Sequence, residues 1–246
     1  MSLSVMMITG GSRGIGEAVV RGAAGRYDIA VAHTGSVDVG ELSATVTAAG
    51  SRFLSTVLDV ADETQVVDWF RQVDRDLGSV EFLVNNAGVG GTYGGIESVT
   101  APILDRLWAV NLTGPFICAR EAVARMRTDR GGSGGVIVNV SSRAAVTGSA
   151  GEWIHYAASK GAIDTMTVGL AREVAAVGVR VAAVWPGLVD SDFHRHAPAG
   201  RLERLESSVP AGRAGTVDEI AAAVLWLCSP EASFTHGALL DVGGGR

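Results

Sequence analysis

Residues 9–16 read Thr-Gly-Gly-Ser-Arg-Gly-Ile-Gly and follow directly on the apolar run of residues 5–9. The run is typical of a buried β-strand, and a helical pattern begins near Gly14. Glycines at such a junction let the backbone approach a ligand closely, while the free amides and positive dipole end of the helix attract a phosphate. A plain strand-turn-helix connection is the alternative, and the glycine spacing departs from the usual G-x-G-x-x-G. The density of glycine favours a bound nucleotide.

Short apolar runs alternate with longer helical patterns to the end of the chain. This alternation is the signature of a parallel sheet covered by helices on both faces, and the continuity of each run is expected of strands buried on both faces. No repeat or linker interrupts the pattern, so we expect one α/β domain over residues 1–246, a doubly wound, seven-stranded parallel sheet. The predicted strands span residues 5–9, 29–33, 52–58, 80–85, 135–140, 179–184 and 238–242, and the predicted helices begin near Gly14, Val39, Glu63, Ala101, Pro115, Gly151 and Thr216.

The composition excludes several functional classes. The 246 residues carry a formal net charge of −6 and no basic stripe, which argues against a nucleic-acid surface. No apolar run is long enough to span a bilayer, and residues 1–8 carry no basic leader, so we expect a cytoplasmic protein without a membrane partner. Cys118 and Cys228 each lie within an apolar helical pattern and are expected to be buried and reduced.

Tyr156 and Lys160 are four residues apart in a long helical pattern, so they lie on one face of that helix, one turn apart. A tyrosine with a pKa of about 10 is a poor proton donor or acceptor at neutral pH, and a neighbouring cation favours the phenolate. The pair has the makings of an acid/base site. A surface lysine beside a packing tyrosine is the alternative, and other motifs in the chain decide between the two interpretations.

Together with the glycine-rich junction, this pair makes the chain resemble the classical short-chain dehydrogenases/reductases. The resemblance covers essentially the whole chain, and it implies a Rossmann-type fold and an oxidoreductase that interconverts a carbonyl and a secondary alcohol. The pattern is similar both to glucose dehydrogenases and to 3-oxoacyl carrier-protein reductases. The matching motifs, in family order, are residues 9–16, Asp59-Val60, Asn85-Asn86-Ala87-Gly88, Asn111, Ser142, Tyr156 with Lys160, and Pro186-Gly187 with Ser191.

The resemblance implies a role for each of four catalytic residues. Hydride transfer to a ketone builds negative charge on the carbonyl oxygen, so the site needs hydrogen-bond donors and a proton source there. Tyr156 would give the proton, Ser142 would hold the carbonyl, and Lys160 would lower the tyrosine pKa and bind the nicotinamide ribose. Asn111 would support a water that resupplies the proton through Lys160, or would satisfy backbone groups in a kinked helix. Ser141 would replace Ser142 if the preceding strand ended one residue early.

Cofactor choice depends on the end of the second strand, where a carboxylate would bind the ribose 2′-hydroxyl of NAD and repel the 2′-phosphate of NADP. This place reads His33-Thr34-Gly35-Ser36, and Asp28 and Asp38 lie before and beyond it. Arg13 matches the basic residue that meets the 2′-phosphate in NADP-preferring members. We therefore predict NADP(H), with NAD(H) as the alternative. The resemblance assigns cofactor contacts to Gly10, Ser12, Arg13, Gly14, Ile15, Gly16, Thr34, Ser36, Asp59, Val60, Asn86, Ala87, Gly88, Tyr156, Lys160, Pro186, Gly187, Val189 and Ser191.

The sequence says less about the small carbonyl or alcohol substrate. Residues 187–215 form the variable region that closes over substrate in the family, and they select no obvious ligand. Glu152 and His155, beside the tyrosine, indicate a partly polar pocket suited to a sugar or hydroxyketone; ordinary helix-start chemistry is the alternative. Trp153 either walls the pocket or packs at the start of the helix.

The remaining expectations concern metals, assembly and alternative functions. His194 and His196 lack further ligands at usable spacing, so we expect no metal. The helix predicted over residues 152–176 carries small residues, and most members of the family are tetramers, so a homotetramer is expected. One alternative function is an NAD-dependent alcohol or sugar dehydrogenase. The other is a non-catalytic NADP(H)-binding sensor, although such proteins usually lose the tyrosine or the lysine.

Overall fold

A computed structural model describes residues 3–193 and 198–246 of the chain. Seven strands form one parallel sheet in the order β3-β2-β1-β4-β5-β6-β7, which confirms the predicted doubly wound architecture. Each strand lies within two residues of its predicted bounds. The strands are β1 Val5–Thr9, β2 Asp28–His33, β3 Phe53–Val57, β4 Val80–Asn85, β5 Gly135–Val140, β6 Val179–Pro186 and β7 Leu239–Val242.

Helices cover both faces of the sheet. They are α1 Gly14–Ala23, α2 Gly40–Ala48, α3 Glu63–Asp76, α4 Ala101–Trp108, α5 Gly114–Met126, α6 Ala144–Thr147, α7 Ile154–Val174, α8 Arg201–Glu206 and α9 Val217–Cys228. Helices α3, α5 and α7 enclose one apolar core, which contains Trp69 and Ile163. Helices α1, α2 and α9 enclose the other, which contains Val19 and Ile220. Within the described ranges, no helix combines the length and the apolar character needed to cross a membrane.

Two strands are less buried than predicted. β3 and β7 lie at the edges of the sheet, so each has a neighbouring strand on one side only. None of their side chains is fully buried, and Val57 in β3 is 64% exposed. The expectation that every apolar run is buried on both faces is wrong for these two strands, because the sequence of a strand does not show whether it lies at an edge.

The helical segments differ from prediction near the variable region. Helix α7 begins at Ile154, so Glu152 and Trp153 precede it, and two short helices, α6 and α8, were not predicted. His194 and His196 lie outside the described residues. The two cysteines are free and buried, as predicted.

The chain connections open a crevice at the carboxyl edge of the sheet. β1 pairs with β2 on one side and with β4 on the other. The loops that follow β1 and β4 therefore leave toward opposite faces, and ligands of doubly wound folds bind at such a point. β5 and β6 extend the same edge, so the segments that follow them also reach it.

Candidate active site

A cavity of about 690 Å³ lies at the carboxyl edge of the sheet. Its size suits a cofactor together with a small substrate. Every residue predicted as a catalytic or cofactor contact lines it, except Gly16 and Asn111. Sequence reasoning missed other lining residues, because they come from segments that carry no local motif: Arg106, Arg143, Ser149, Arg201, Leu205 and Arg246.

The glycine-rich junction after β1 is held by the loop that follows β4. Asn86 Nδ2 donates to the main-chain oxygens of Thr9 at 3.1 Å and Gly10 at 3.0 Å. The Thr9 hydroxyl accepts from the main-chain amides of Asn86 and Ala87, each at 3.0 Å. Gly10 and Gly14 have φ angles of +66° and +58°, in the left-handed region that favours glycine. The backbone of the junction is thus fixed before any ligand arrives.

This junction fits the pyrophosphate of a dinucleotide. A Cβ on Gly14 would meet no atom within 4 Å, so the backbone there is open to an approaching ligand. The first turn of α1 directs unpaired amides and the positive dipole end toward the cavity. Gly16 serves the turn from behind: a Cβ there would collide with the Gly10 carbonyl oxygen and would lie 2.5 Å from Asn86 Nδ2. This packing explains why Gly16 does not line the cavity.

The end of β2 is uncharged. The amide of Gly35 donates to His33 Nδ1 at 3.2 Å, so the proton lies on Nε2, which donates to the Ser55 hydroxyl at 2.8 Å. Burial lowers the pKa of His33, which is therefore neutral at pH 7. The hydroxyls of Thr34 and Ser36 lie 3.4 Å apart on the cavity wall.

Asp59 meets a partner that the sequence did not indicate. Its carboxylate accepts from Arg106 Nη1 at 2.6 Å and from the amide of Ala61 at 3.0 Å. Burial opposes the charge of Asp59, but the hydrogen bonds from Arg106 and Ala61 and the charge of Arg106 together outweigh burial and hold the pKa of the carboxyl below its ordinary value. Arg106, from α4, therefore neutralises the charge of Asp59, the one acidic residue among the predicted cofactor contacts.

Tyr156 and Ser142 lie together on the cavity wall. Burial raises the pKa of Tyr156 to about 12, and the neighbouring Ser142 hydroxyl only partly offsets this effect. Ser141, the alternative candidate, is buried and donates its hydroxyl to the main-chain oxygen of Lys160 at 3.2 Å. The phenol is therefore protonated at neutral pH, and the serine beside it is Ser142.

Lys160 is buried beside Tyr156. Its Nζ lies 5.6 Å from the centre of the Tyr156 ring and donates to the main-chain oxygen of Val140 at 2.7 Å. Burial lowers the pKa of Lys160 to about 8, against the opposing charge of Asp164. The lowering of the Tyr156 pKa by Lys160 therefore stays a prediction, and in the described structure burial acts on the tyrosine in the opposite direction.

Asn111 lies in a π-helical turn, Ala109–Thr113, between α4 and α5. Its Oδ1 accepts from the amide of Val89 at 2.8 Å, and its Nδ2 donates to the Val89 carbonyl at 2.9 Å and to the Ser159 hydroxyl at 3.0 Å. The side-chain amide is thus occupied by protein partners and clamps the loop after β4 to α7. This matches the interpretation in which Asn111 satisfies backbone groups within an irregular helix.

Of the two residues predicted to make a partly polar pocket, Glu152 lines the cavity and His155 does not. His155 is buried, packs against Gly91 and does not line the cavity, and burial lowers its pKa. Glu152 lines the cavity but is ion-paired with Arg201 at 2.5 Å. Trp153 both lines the cavity and caps the start of α7, so its two interpretations hold together. Within residues 3–193 and 198–246, no cluster of three His, Cys, Asp or Glu side chains is placed to hold a metal.

Comparison with known proteins supplies the family. The family model described as Enoyl-(Acyl carrier protein) reductase matches residues 10–246. The chain belongs to the short-chain dehydrogenase/reductase family. As a member of this family, it is an oxidoreductase of the alcohol dehydrogenase type, and it uses a nicotinamide cofactor.

Relatives within the short-chain dehydrogenase/reductase family cover the chain almost completely. "Uncharacterized oxidoreductase YgfF" of Escherichia coli (strain K12) is 43% identical over 247 residues, which is 99% of this chain and 100% of the relative. The blue fluorescent protein from a metagenomic library, solved in complex with NADPH, is 34% identical with a TM-score of 0.89 over 99% of this chain and 98% of its own. The 3-ketoacyl-(acyl-carrier-protein) reductase from Brucella melitensis, complexed with NADH, is 29% identical with a TM-score of 0.91 over 100% of this chain and 98% of its own.

The burial of Lys160 predicts how the stability of this dehydrogenase/reductase depends on pH. Its pKa falls from an ordinary value of 10.5 to about 8 in the folded chain, so between these pH values the unfolded chain binds more protons. Stability therefore rises with pH across that window, and below about pH 8 the folded chain carries the full cost of the buried ammonium. The free energy of unfolding of Lys160→Met, taken relative to that of wild type, should therefore be higher at pH 7 than at pH 10.5, by up to about 3 kcal/mol.

Lys160 is the only lysine in the sequence, which makes this prediction directly measurable. Carbon-13 labelling of lysine should give one side-chain resonance that titrates near pH 8. Denaturant unfolding of wild type, Lys160→Met and Lys160→Arg from pH 7 to 10.5 gives the second readout, since arginine stays charged throughout and should show no such rise. Parallel stability curves for wild type and Lys160→Met, or a lysine midpoint above pH 10, would contradict burial as the cause.

Proposed function

We propose that the protein is an NADP(H)-dependent carbonyl reductase that interconverts a ketone and a secondary alcohol. The observation that carries this proposal is that Tyr156, Ser142 and Lys160 line the same cavity as the glycine-rich junction after β1. The nicotinamide cofactor, when bound, gives or accepts the hydride. The residues of the chain must then hold the carbonyl oxygen, move one proton and bind the cofactor ribose.

Tyr156 is suited to the proton step of carbonyl reduction. Its raised pKa keeps the phenol protonated at neutral pH, so the hydroxyl can donate to the carbonyl oxygen as negative charge develops there. The Ser142 hydroxyl beside it donates a second hydrogen bond to the same oxygen. In the direction of alcohol oxidation, the phenolate form of the same tyrosine takes up the proton.

Lys160 and Asn111 support this chemistry from behind. An ammonium has three N–H donors. Lys160 donates one of them to the main-chain oxygen of Val140, so two can donate to the ribose hydroxyls. Asn111 acts on α7 through Ser159, and α7 carries both Tyr156 and Lys160. Asn111 is therefore a positioning residue in this proposal.

The preference for NADP(H) is inferred from charge at the end of β2. The residues of this segment that line the cavity, His33, Thr34 and Ser36, carry no carboxylate, and His33 is neutral. Asp38 lies beyond them and accepts from the amide of Gly40 at 2.9 Å, at the start of α2. Arg13 lines the cavity with an exposed side chain and supplies the cation that a 2′-phosphate needs.

Replacing Arg13 with Ala should therefore weaken the binding of NADPH and leave the binding of NADH nearly unchanged. A hydrogen bond to a charged group contributes about 1.5–3 kcal/mol, so the KM for NADPH should rise by about tenfold to a hundredfold. The KM for NADH should change less than about threefold, because NADH lacks the 2′-phosphate. The exposed Arg71 on α3, which pairs with Asp68 at 2.9 Å outside the cavity, gives the matched control Arg71→Ala.

The assay is the consumption of NADPH and NADH across ketones, diketones and acetoacetyl thioesters and, in reverse, of NADP and NAD with aldoses. Wild-type turnover with NADPH well above NADH supports both parts of the proposal. An equal rise in the KM for NADPH and for NADH in Arg13→Ala would show that Arg13 does not bind the 2′-phosphate. Faster turnover with NAD and an aldose or alcohol than with NADPH and any ketone would favour the NAD-dependent dehydrogenase instead.

A further inference from the structure

The substrate end of the cavity contains an ion pair between two segments that are distant in the sequence. Arg201, at the start of α8, donates from Nε to Glu152 Oε1 at 3.1 Å and from Nη2 to Oε2 at 2.5 Å. The side chains of Arg201 and Glu152 are only 7% and 22% exposed. Both residues line the cavity that contains Tyr156. A two-point pair of this kind fixes the relative position of its partners and removes their net charge.

Glu152 is held in its charged form by several donors. The Tyr93 hydroxyl donates to Oε1 at 3.3 Å, and Arg204 approaches the same oxygen at 3.9 Å. Burial opposes the charge of Glu152, but Arg201, Tyr93 and Arg204 together hold the pKa of its carboxyl below the ordinary value. Glu152 is thus a permanent anion at neutral pH, committed to neutralising Arg201.

A further arginine of the cavity wall also faces a carboxylate. Arg143 is paired with Asp241 at 3.0 Å. Arg143 and Arg201 therefore each face a carboxylate before a substrate arrives.

Aromatic rings form the wall between the ion pair and the catalytic tyrosine. The ring of Phe193 lies 5.1 Å from that of Tyr156 and 5.7 Å from that of Trp153. The guanidinium of Arg201 lies over Trp153 at 4.6 Å, and Tyr93 meets the same ring edge-on at 5.1 Å. A flat apolar group attached to a carbonyl at Tyr156 would therefore contact the ring of Phe193, which lines the cavity beside that tyrosine.

We propose that Glu152 is a specificity-determining residue: by neutralising Arg201, it restricts the substrate to uncharged ketones with a flat apolar substituent. The inference rests on the carbonyl reduction proposed above. A ketone that carries a carboxylate would meet the charge of Glu152, with Arg201 already paired to it. Removing the Glu152 charge removes this repulsion, and the buried cation of Arg201 then attracts a substrate carboxylate instead.

The test compares two probes that differ in one charge, methyl 4-acetylbenzoate and 4-acetylbenzoate. Wild type should reduce the ester with a kcat/KM at least about a hundredfold above that of the carboxylate. Glu152→Gln keeps the size of the side chain and should narrow this ratio by about tenfold to a hundredfold, mainly through the KM of the carboxylate. The double variant Glu152→Gln, Arg201→Gln should restore the wild-type ratio. Glu63→Gln is the matched control, since Glu63 pairs with Arg120 at 2.6 Å outside the cavity.

The outcomes separate this inference from the proposed function. If Glu152→Gln lowers kcat/KM for the ester and for the carboxylate by the same factor, the ion pair only supports the fold and the inference is wrong. Equal kcat/KM for ester and carboxylate in wild type would also overturn it. If wild type reduces other ketones but neither probe, the two probes are compared as competitive inhibitors, and the same shift in the ratio of inhibition constants is required. Failure to reduce any ketone with either cofactor would count against the proposed function instead.

Discussion

Tyr156→Phe should lower the rate of NADPH-dependent carbonyl reduction by about a thousandfold, because general acid catalysis by a positioned side chain contributes about 10²–10⁴. The substitution removes one hydroxyl and keeps the ring, whose contact with Phe193 at 5.1 Å is preserved. The fold and the affinity for NADPH should therefore change little. Steady-state rates with the best ketone, together with a fluorescence titration of NADPH, measure the two quantities separately.

The control for this prediction is Tyr27→Phe. Tyr27 is also buried, packs edge-on against Phe82 at 4.9 Å and does not line the active-site cavity. The same chemical deletion there should leave turnover within about twofold of wild type. A Tyr156→Phe variant with more than a tenth of wild-type turnover would remove the tyrosine from the proton step. Loss of NADPH affinity in that variant would instead assign Tyr156 a binding role. If neither the turnover rate nor the NADPH affinity changed, the non-catalytic sensor would be favoured.

The sheet and the cofactor end of the cavity were predictable because their signals are local. A continuous apolar run of five or six residues, followed by a helical pattern, identifies a parallel strand whatever its neighbours are. Glycines such as Gly10 and Gly14 report a backbone conformation that other residues adopt with difficulty. These features stand within a few positions of one another, so the sequence shows them side by side.

The chemistry of Tyr156 was not predictable in the same way. The spacing of Tyr156 and Lys160 places them one helical turn apart, and from spacing alone the cation should lower the tyrosine pKa. Burial of a charged form depends on the whole fold, and it raises the pKa of the tyrosine while lowering that of the lysine. The neighbouring cation and the burial of the phenol therefore act on the tyrosine pKa in opposite directions, and only the first of these effects can be read from the spacing.

The substrate end escaped prediction because its contacts join remote parts of the chain. Glu152 and Arg201 are 49 residues apart, and neither carries a motif that indicates the other. Arg201 belongs to α8, inside a region whose sequence lacks helical or strand periodicity. Glu152 therefore looked like a free polar group in the sequence, whereas the structure shows it fully engaged with an arginine.

Gly16→Ala should distort the first βα junction and weaken cofactor binding strongly. The φ angle of Gly16 is not in the left-handed region, so the penalty is steric: a Cβ would collide with the Gly10 carbonyl oxygen and approach Asn86 Nδ2 at 2.5 Å. Both atoms belong to the hydrogen-bonded lock between this junction and the loop after β4, so neither can withdraw alone. Overpacking of this kind costs about 1–3 kcal/mol or more, and affinity for NADPH should fall at least about a hundredfold.

Gly169→Ala provides the contrasting result for the same substitution. Gly169 lies in the middle of α7 with an exposed position, and a Cβ there would meet no atom within 4 Å. Replacing a helical glycine by alanine should stabilise the chain by about 0.5–1 kcal/mol, with NADPH affinity unchanged. In thermal unfolding, the midpoint should therefore rise in Gly169→Ala and fall in Gly16→Ala. In NADPH titration, the affinity should be unchanged in Gly169→Ala and lower in Gly16→Ala. Wild-type NADPH affinity in Gly16→Ala would mean that the junction can open by a few tenths of an ångström, and that the close approach at Gly16 is not what shapes the pyrophosphate site.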